Sequence, residues 1–296
     1  MTPHRTRGQA AQRGYTLVEL MISILIALFL MAGLVTLVMH TRNTSTVQNQ
    51  MQQLQENERI AMTVIANVIQ QAGYFPDPLT NAIGGKNSAG QTNLSGTETE
   101  SVNGQGFTWA AGQGVSGFSI TAAPGDMVAA RFTAPKADAS GIVTNTIINC
   151  AGTTNTDTAS IHTFTNVFFI DNVNGTPYLK CVLLTDGAGP VTVNLVPGLY
   201  DMQVLYGVAT GSWTASTTGP PTPYNVTQYV TAAWLAANPT KWTNVSSVKI
   251  RLYFQVPNYG FSGGQTNSQA ASAAMSNGTQ YVERVIGING RIGVYT

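Results

Sequence analysis

Near the start of the chain, the pattern of hydrophobic and polar positions contains one long apolar run. Residues 20–39 read LMISILIALFLMAGLVTLVM, which is twenty positions without a charged side chain. At about 1.5 Å per residue in an α-helix, such a run can cross the roughly 30 Å hydrocarbon core of a bilayer. The pattern therefore predicts one membrane-spanning helix close to the N-terminus.

The helical pattern continues beyond this run with a different character. No proline or glycine occurs in residues 40–72, and apolar side chains recur there at spacings of four and three, interrupted by Glu58. This periodicity predicts an amphipathic helix whose apolar face lies against a globular domain, with a free coiled coil as the alternative. Gly73, Pro76 and Pro78 are expected to end the helix. The apolar positions are Val47, Met51, Leu54, Ala61, Ile65, Val68 and Ala72.

After residue 73, short apolar runs alternate with turn residues, which is typical of β-strands. The predicted strands cover residues 128–133, 142–149, 163–171, 178–184, 191–196, 202–208, 245–256, 281–288 and 292–295. Asn174-Gly175 and Asp186-Gly187 are typical of hairpin turns, and residues 230–237 are predicted to form a short helix. The chain is therefore predicted to be α+β, with an antiparallel β-sheet packed on the long N-terminal helix.

The region between the helix and the first predicted strand is polar. Residues 81–117 are rich in Gly, Asn, Ser and Thr, and we interpret them as a long loop or insertion. Gly112, Gly114 and Gly117 match the spacing of a dinucleotide-binding fingerprint, but that motif requires a preceding strand and a following helix. Because turn residues surround the three glycines, we do not expect them to bind a nucleotide.

Charged residues are few, and they are unevenly distributed along the chain. Only 9% of the residues are charged, whereas ordinary soluble domains carry about 25%. Arg5, Arg7 and Arg13 precede the apolar run without an acid, so the positive-inside rule places the N-terminus in the cytoplasm and exports the rest. From Phe75 onward there are nine Lys and Arg against ten Asp and Glu. Binding to nucleic acid is therefore expected to be weak or absent.

The candidate reactive residues are few. In an exported protein, Cys150 and Cys181 most simply form one disulfide, and two buried thiols are the alternative. His162 lies in the domain without an obvious partner, and residues 171–175 place Val173 where a calcium loop needs an oxygen ligand. The carboxylates are scattered, so no acid–base pair can be assigned. We expect no cofactor, no metal and no enzymatic activity.

A short motif stands directly before the apolar run. Gly14, Tyr15 and Glu19 belong to the sequence GYTLVE, which resembles the class III signal of type IV prepilins and pseudopilins. The resemblance implies cleavage after Gly14 by prepilin peptidase, N-methylation of Tyr15 and retention of the apolar segment. It also implies that Glu19 docks subunits by pairing with the terminal amine of a neighbour. A contribution of Glu19 to the helix dipole alone is the alternative.

A second resemblance covers most of the remaining chain. Residues 195–208, LVPGLYDMQVLYGV, and residues 71–75, QAGYF, resemble PilW-type minor pilins, whose usual cysteine pair matches Cys150 and Cys181. The resemblance implies a pilin-like α+β fold with a leader, a helix of two halves and a β-rich domain that carries a polar loop insertion at about 80–120. These segments are 1–14 for the cytoplasmic leader, 15–40 for the transmembrane half, 41–73 for the amphipathic half and 74–296 for the domain.

The family resemblance also implies a function. It predicts a minor pilin that enters a type IV pilus through its N-terminal helix and helps to prime assembly near the tip, with twitching motility, adhesion and DNA uptake as roles of the whole system. The implied partners are other minor and major pilins, prepilin peptidase, the inner-membrane assembly platform and a tip adhesin.

The implied location is the inner membrane, with the domain in the periplasm and later outside the cell. Two alternatives stay open. One is a J-type minor pseudopilin of a type II secretion system. The other is an adhesive domain on a pilin anchor that binds through residues 81–117.

Overall fold

The computed structural model describes residues 16–74, 94, 99–110, 112–120, 124–137, 147–186, 188–208, 226–255 and 279–289. The chain divides into two compact units, Met1–Gln50 and Met51–Thr296. Helix α1 (Leu17–Gln70) begins in the first unit and ends in the second. It is followed by β-strands, so the predicted α+β class is confirmed.

The described part of the first unit is the first part of α1, which contains the apolar run and the polar residues that follow it up to Gln50. The helix begins after Thr16, whose hydroxyl oxygen accepts the backbone N–H of Glu19 at 3.4 Å. Ser23 Oγ donates to the carbonyl of Glu19 at 2.7 Å, and Thr36 donates in the same way to Ala32. These bonds satisfy the hydroxyl groups within an apolar segment. The helix is long and apolar enough to cross a membrane, and its most apolar window is 0% buried inside the chain.

The part of α1 in the second unit contributes to the main hydrophobic core. Its buried side chains follow the predicted stripe from Leu54 onward, whereas Val47 of the first unit is exposed. The helix ends where the sequence predicts, because Gly73 adopts a φ of +80° that only glycine tolerates readily. The buried positions of α1 are Leu54, Ala61, Met62, Ile65, Ala66, Val68 and Ile69.

The described residues after α1 form eleven strands and one further α-helix. They are β1 (Thr99–Val102), β2 (Gln105–Thr108), β3 (Val115–Phe118), β4 (Met127–Ala134), β5 (His162–Val173), β6 (Thr176–Thr185), β7 (Val191–Pro197), β8 (Leu199–Val208), β9 (Gln228–Val230), α2 (Ala232–Ala237), β10 (Val245–Gln255) and β11 (Thr279–Gly287). A 3₁₀ turn, Pro239–Asn244, connects α2 to β10. The strands pair antiparallel, as predicted, but in three sheets ordered β1-β2, β3-β4-β5-β6-β7 and β11-β10-β8-β9.

The five-stranded sheet is buried on both faces at its centre. Every residue of β4 is buried. Val128, Ala130 and Phe132 face the main core that includes α1, whereas Met127 and Ala129 face a second apolar cluster. The second cluster also contains Phe107 of β2 and Val102 of β1, so the two-stranded ribbon covers the far face of the sheet. This double coverage explains why β4 is buried along its whole length instead of alternating between buried and exposed positions.

The four-stranded sheet has one core face and one outer face. In β10, Ile250, Leu252 and Phe254 are 0% exposed and belong to the main core, whereas the residues between them are half-buried. This alternation is what an antiparallel sheet with one solvated face produces. The outer face of this sheet therefore presents Lys249 and Arg251.

The two larger sheets meet at one edge of β8. Gly125 forms an isolated parallel bridge with Met202, and the Asp126 N–H donates to the Met202 carbonyl at 2.7 Å. The Val204 N–H donates in turn to Asp126 Oδ2 at 2.9 Å. A side chain on Gly125 would lie 2.7 Å from Met202 N, so this close approach requires glycine.

Several predictions for the polar region and its neighbours need correction. The expected loop, residues 81–117, contains the short strands β1 and β2 and most of β3, while its residues 81–93, 95–98 and 111 lie outside the described residues. Of the predicted strand 142–149, only residues 147–149 are described, and they have no regular secondary structure. The predicted strand 292–295 also lies outside the described residues. The Asn174-Gly175 turn and the short helix α2 are confirmed.

The close approach of β3 to the end of α1 gives a test of the fold. An added Cβ at Gly114 would lie 2.7 Å from Gly73 Cα and 2.9 Å from Ala72 C. Because backbone atoms cannot swing aside, Gly114→Ala should cost about 2–3 kcal/mol of stability and lower the melting temperature by several degrees. Gly189→Ala is the matched control, since nothing lies within 4 Å of its Cβ. Equal melting temperatures of the two variants in detergent would contradict this packing.

Candidate functional site

The first turn of α1 carries an isolated carboxylate. Glu19 is exposed and is the acidic residue of the first turn. No hydrogen bond or ion pair of its carboxylate occurs among the described residues, and the next Asp or Glu along the chain is Glu56. Gly14 and Tyr15, the predicted processing residues, lie outside the described residues. The structure thus places Glu19 at the start of the exposed apolar segment of α1.

The two cysteines form a disulfide, so the alternative of two buried thiols is wrong. Cys181 lies in β6, and Cys150 lies in a turn where a strand end was expected. The Cα atoms are 6.3 Å apart. Both residues belong to the main core, and the Cys150 N–H donates to Asn166 Oδ1 at 2.8 Å. The disulfide therefore fixes the segment around Cys150 onto the five-stranded sheet.

A buried cation ties the polar region to the same sheet. Arg131 of β4 is 1% exposed, and its Nε donates to the Gln113 carbonyl at 2.9 Å. Its Nη2 donates to the carbonyls of Ala110 at 2.9 Å and Leu94 at 3.2 Å. The guanidinium also lies 4.7 Å from the ring centroid of Trp109. Sequence reasoning missed this residue, although a lone arginine inside the apolar run MVAARFTA signals a buried partner set.

Comparison with known families gives two matches. Residues 9–35 match the family described as Prokaryotic N-terminal methylation motif, and this range includes Gly14, Tyr15 and Glu19. Residues 167–285 match the family described as Type IV Pilus-assembly protein W. No curated protein sequence matches the chain.

The two matches support a PilW-like minor pilin of the type IV pilus. The PilW match runs from within β5 into β11 and includes Cys181. The apolar helix and the methylation motif suggest membrane anchoring with a C-terminal domain. Among the described residues of this PilW-like chain, no three His, Cys, Asp or Glu side chains form a metal-binding group.

One histidine of the PilW-like domain has two partners that the sequence did not reveal. His162 Nδ1 lies 2.8 Å from Asp186 Oδ1, and its Nε2 lies 3.1 Å from Asp157 Oδ2. The sequence showed no obvious partner for this residue, and the structure supplies two carboxylates. The two ring nitrogens point in different directions, so the three side chains do not converge on one ion. Burial alone would lower the pKa of His162, but the hydrogen bonds to the two carboxylates outweigh it and raise that pKa.

This arrangement predicts a pH-dependent stability. A raised pKa in the folded state stabilises the fold fully below the unfolded value of about 6.5, and the contribution is lost as pH rises through the folded pKa. His162→Gln should therefore lower the melting temperature at about pH 5.5, and the difference from the wild type should shrink by about pH 9. His40→Gln, in the first unit, is the control. If His162→Gln lowers the melting temperature by the same amount at both pH values, the stabilising pairing of charged His162 with Asp157 and Asp186 is contradicted.

Proposed function

We propose that this PilW-like chain is incorporated into the type IV pilus through α1 and helps to prime assembly near the pilus tip. The observation that carries the proposal is the first part of α1, an apolar helix with an exposed surface and one acid at its start, Glu19, that has no partner among the described residues. An apolar helix left exposed by its own chain needs lipid or other apolar helices around it. The membrane satisfies this need before assembly, and neighbouring pilin helices satisfy it afterwards.

Glu19 is proposed as the residue that docks the subunit. A carboxylate at the edge of the hydrocarbon core is costly unless it is paired. Cleavage after Gly14 would create a positively charged terminus at Tyr15, and the Glu19 carboxylate can pair with the same terminus of a neighbouring subunit. Each helix would then supply one cation and one anion at its start, so that repeated subunits neutralise one another.

The proposed docking role can be tested in a strain that lacks the chromosomal copy. Glu19→Ala should insert in the membrane and fold normally, yet restore less than about a tenth of the pili, because the lost ion pair lies in a low dielectric. Glu19→Gln should fail in the same way, since it keeps the shape and loses the charge. Glu56→Ala removes an exposed acid of the same helix that pairs with Arg59, and it serves as the control. Normal piliation with both Glu19 variants would remove the docking role.

The proposed processing is tested by mass spectrometry of the mature N-terminus. We expect a chain that begins with an N-methylated Tyr15, because the leader with its three arginines is removed on the cytoplasmic side and the apolar segment is retained. Gly14→Val should leave the leader uncut. An intact leader on the wild-type chain, or a cut within the apolar run near Gly33, would overturn the pilin assignment of this terminus.

The remaining partners follow from the same proposal. The subunit would cross the inner membrane once, with the domain in the periplasm, and would contact prepilin peptidase, the assembly platform, other minor and major pilins and a tip adhesin. We propose no enzymatic role and only weak contact with nucleic acid, since the charge of the domain is nearly balanced.

The match to Type IV Pilus-assembly protein W supports a pilus over a secretion system. Loss of twitching on deletion, with enzyme secretion unchanged, is the expected distinction.

A further inference from the structure

A pocket of about 400 Å³ lies on the outer side of the four-stranded sheet. Its floor comes from β8, β10 and β11, one wall from Ser119, Ile120 and Asp126, and the other wall from Thr231 and Ala233 at the start of α2. The volume falls in the range of specific binding pockets. The lining residues are Ser119, Ile120, Asp126, Gln203, Val204, Leu205, Thr231, Ala233, Lys249, Arg251 and Glu283.

The strand alternation explains why apolar side chains line this pocket. In β8, Met202, Val204 and Tyr206 are buried in the main core, whereas Gln203 and Leu205 between them are only partly buried. Leu205 therefore lies on the outer face of the sheet, where its side chain lines the pocket together with that of Ile120. Among the described residues Leu205 is only partly buried, so an incoming apolar group would gain by contact with it and with Ile120.

On the side of the pocket formed by β10 and β11, the described residues place one carboxylate, that of Glu283, beside two cations. Arg251 Nε donates to Glu283 Oε2 at 3.0 Å, and Nη2 donates to the same oxygen. Lys249 Nζ is 3.8 Å from Glu283 Oε1 and 4.8 Å from the ring centroid of Tyr229. One carboxylate thus serves two cations, and the lysine is the more loosely held of the two. A second carboxylate brought to Lys249 would complete this set.

The acid on the opposite wall is already engaged. Asp126 accepts the Val204 N–H at 2.9 Å and the Ile120 N–H at 3.3 Å, one on each carboxylate oxygen. Burial, and to a smaller extent Asp201, raises the pKa of Asp126. Its role is to fix the wall of the pocket to β8, which leaves the Lys249 side as the place for an incoming charge.

The surroundings favour a protein ligand over a small polar molecule. Tyr229, Trp234 and Tyr281 are each more than a third exposed, and Tyr281 also lies under the guanidinium of Arg251 at 5.1 Å. Tyrosine, tryptophan and arginine are the side chains that contribute most often to protein–protein binding, in particular around a pocket that takes one apolar anchor. Most of the lining surface is apolar, which suits an aliphatic side chain better than a saccharide.

We propose that this pocket docks an exposed segment of a neighbouring pilin subunit, in which an aliphatic side chain is followed within two residues by an acid. The aliphatic group fills the space over Leu205 and Ile120, and the carboxylate binds the Lys249 ammonium. This inference rests on the proposed role as a pilus subunit and names the surface and the chemistry of one contact. It places a docking site on the domain that is separate from the α1 segment.

The test uses the full-length chain in host cells that make the other pilus proteins. The photoreactive residue p-benzoylphenylalanine replaces Tyr229, beside Lys249, and in a second strain it replaces Tyr74, which has a similar exposure of 40%. We expect a light-dependent adduct with another pilin subunit from position 229 and little from position 74. Mass spectrometry of the adduct should identify a partner peptide in which an aliphatic residue is followed within two residues by Asp or Glu.

Matched variants separate the charge from the pocket shape. Lys249→Glu should reduce the adduct about tenfold by repulsion, whereas Lys249→Arg should keep it within about twofold. Ala233→Trp should also remove the adduct by filling the pocket, whereas Ala236→Trp on the same helix but outside the lining should not. Replacing the identified partner acid by lysine should restore the adduct with Lys249→Glu.

Several results would overturn the docking site. They are equal adducts from positions 74 and 229, an adduct only with a second copy of this chain, an adduct only with a protein that is not a pilin, and an adduct that survives both Lys249→Glu and Ala233→Trp. In each case deletion of the chain would still abolish pili, and the role as a pilus subunit would stand. If deletion leaves piliation unchanged, the pilus role itself fails, whatever the adducts are.

Discussion

The apolar face of α1 after Met51 is the surface on which the globular unit depends. Ile65 and Ile69 are 0% exposed, and they share one core with Phe132 of the five-stranded sheet and Ile250 of the four-stranded sheet. A sheet with one apolar face has to bury it against another layer, and here a single helix serves two sheets. The sites described in the second unit lie on elements that pack around this core or on segments attached to them.

Polar contacts then fix the segments that the hydrophobic core alone would leave loose. Arg131 donates hydrogen bonds to the backbone carbonyls of Leu94, Ala110 and Gln113. The Cys150–Cys181 disulfide holds a turn to β6. Asp126 joins the two larger sheets through backbone N–H groups. Buried polar groups of this kind are stable only when all partners are present, so they specify one arrangement of chain segments that are far apart in sequence.

The two units satisfy opposite requirements. The first part of α1 keeps its apolar surface exposed in the isolated chain, whereas the second unit encloses two clusters of apolar side chains and keeps polar residues on the outer face of β10. This division is consistent with a subunit that is held first by lipid and then by other subunits. Because the first part of α1 would attach the subunit, the surface of the second unit would be available for specific contacts with a partner.

The sequence by itself determined the long helix, its end at Gly73, the antiparallel strands and the class of its N-terminal motif. These features depend on local patterns: a twenty-residue apolar run, a helical stripe, alternation along β10 and turn pairs such as Asn174-Gly175.

Only the tertiary structure decided that the strands form two larger sheets, that Arg131 is buried, and that His162 lies between Asp157 and Asp186. Those outcomes depend on which surfaces of distant segments cover one another, and local periodicity carries no information about such long-range pairing.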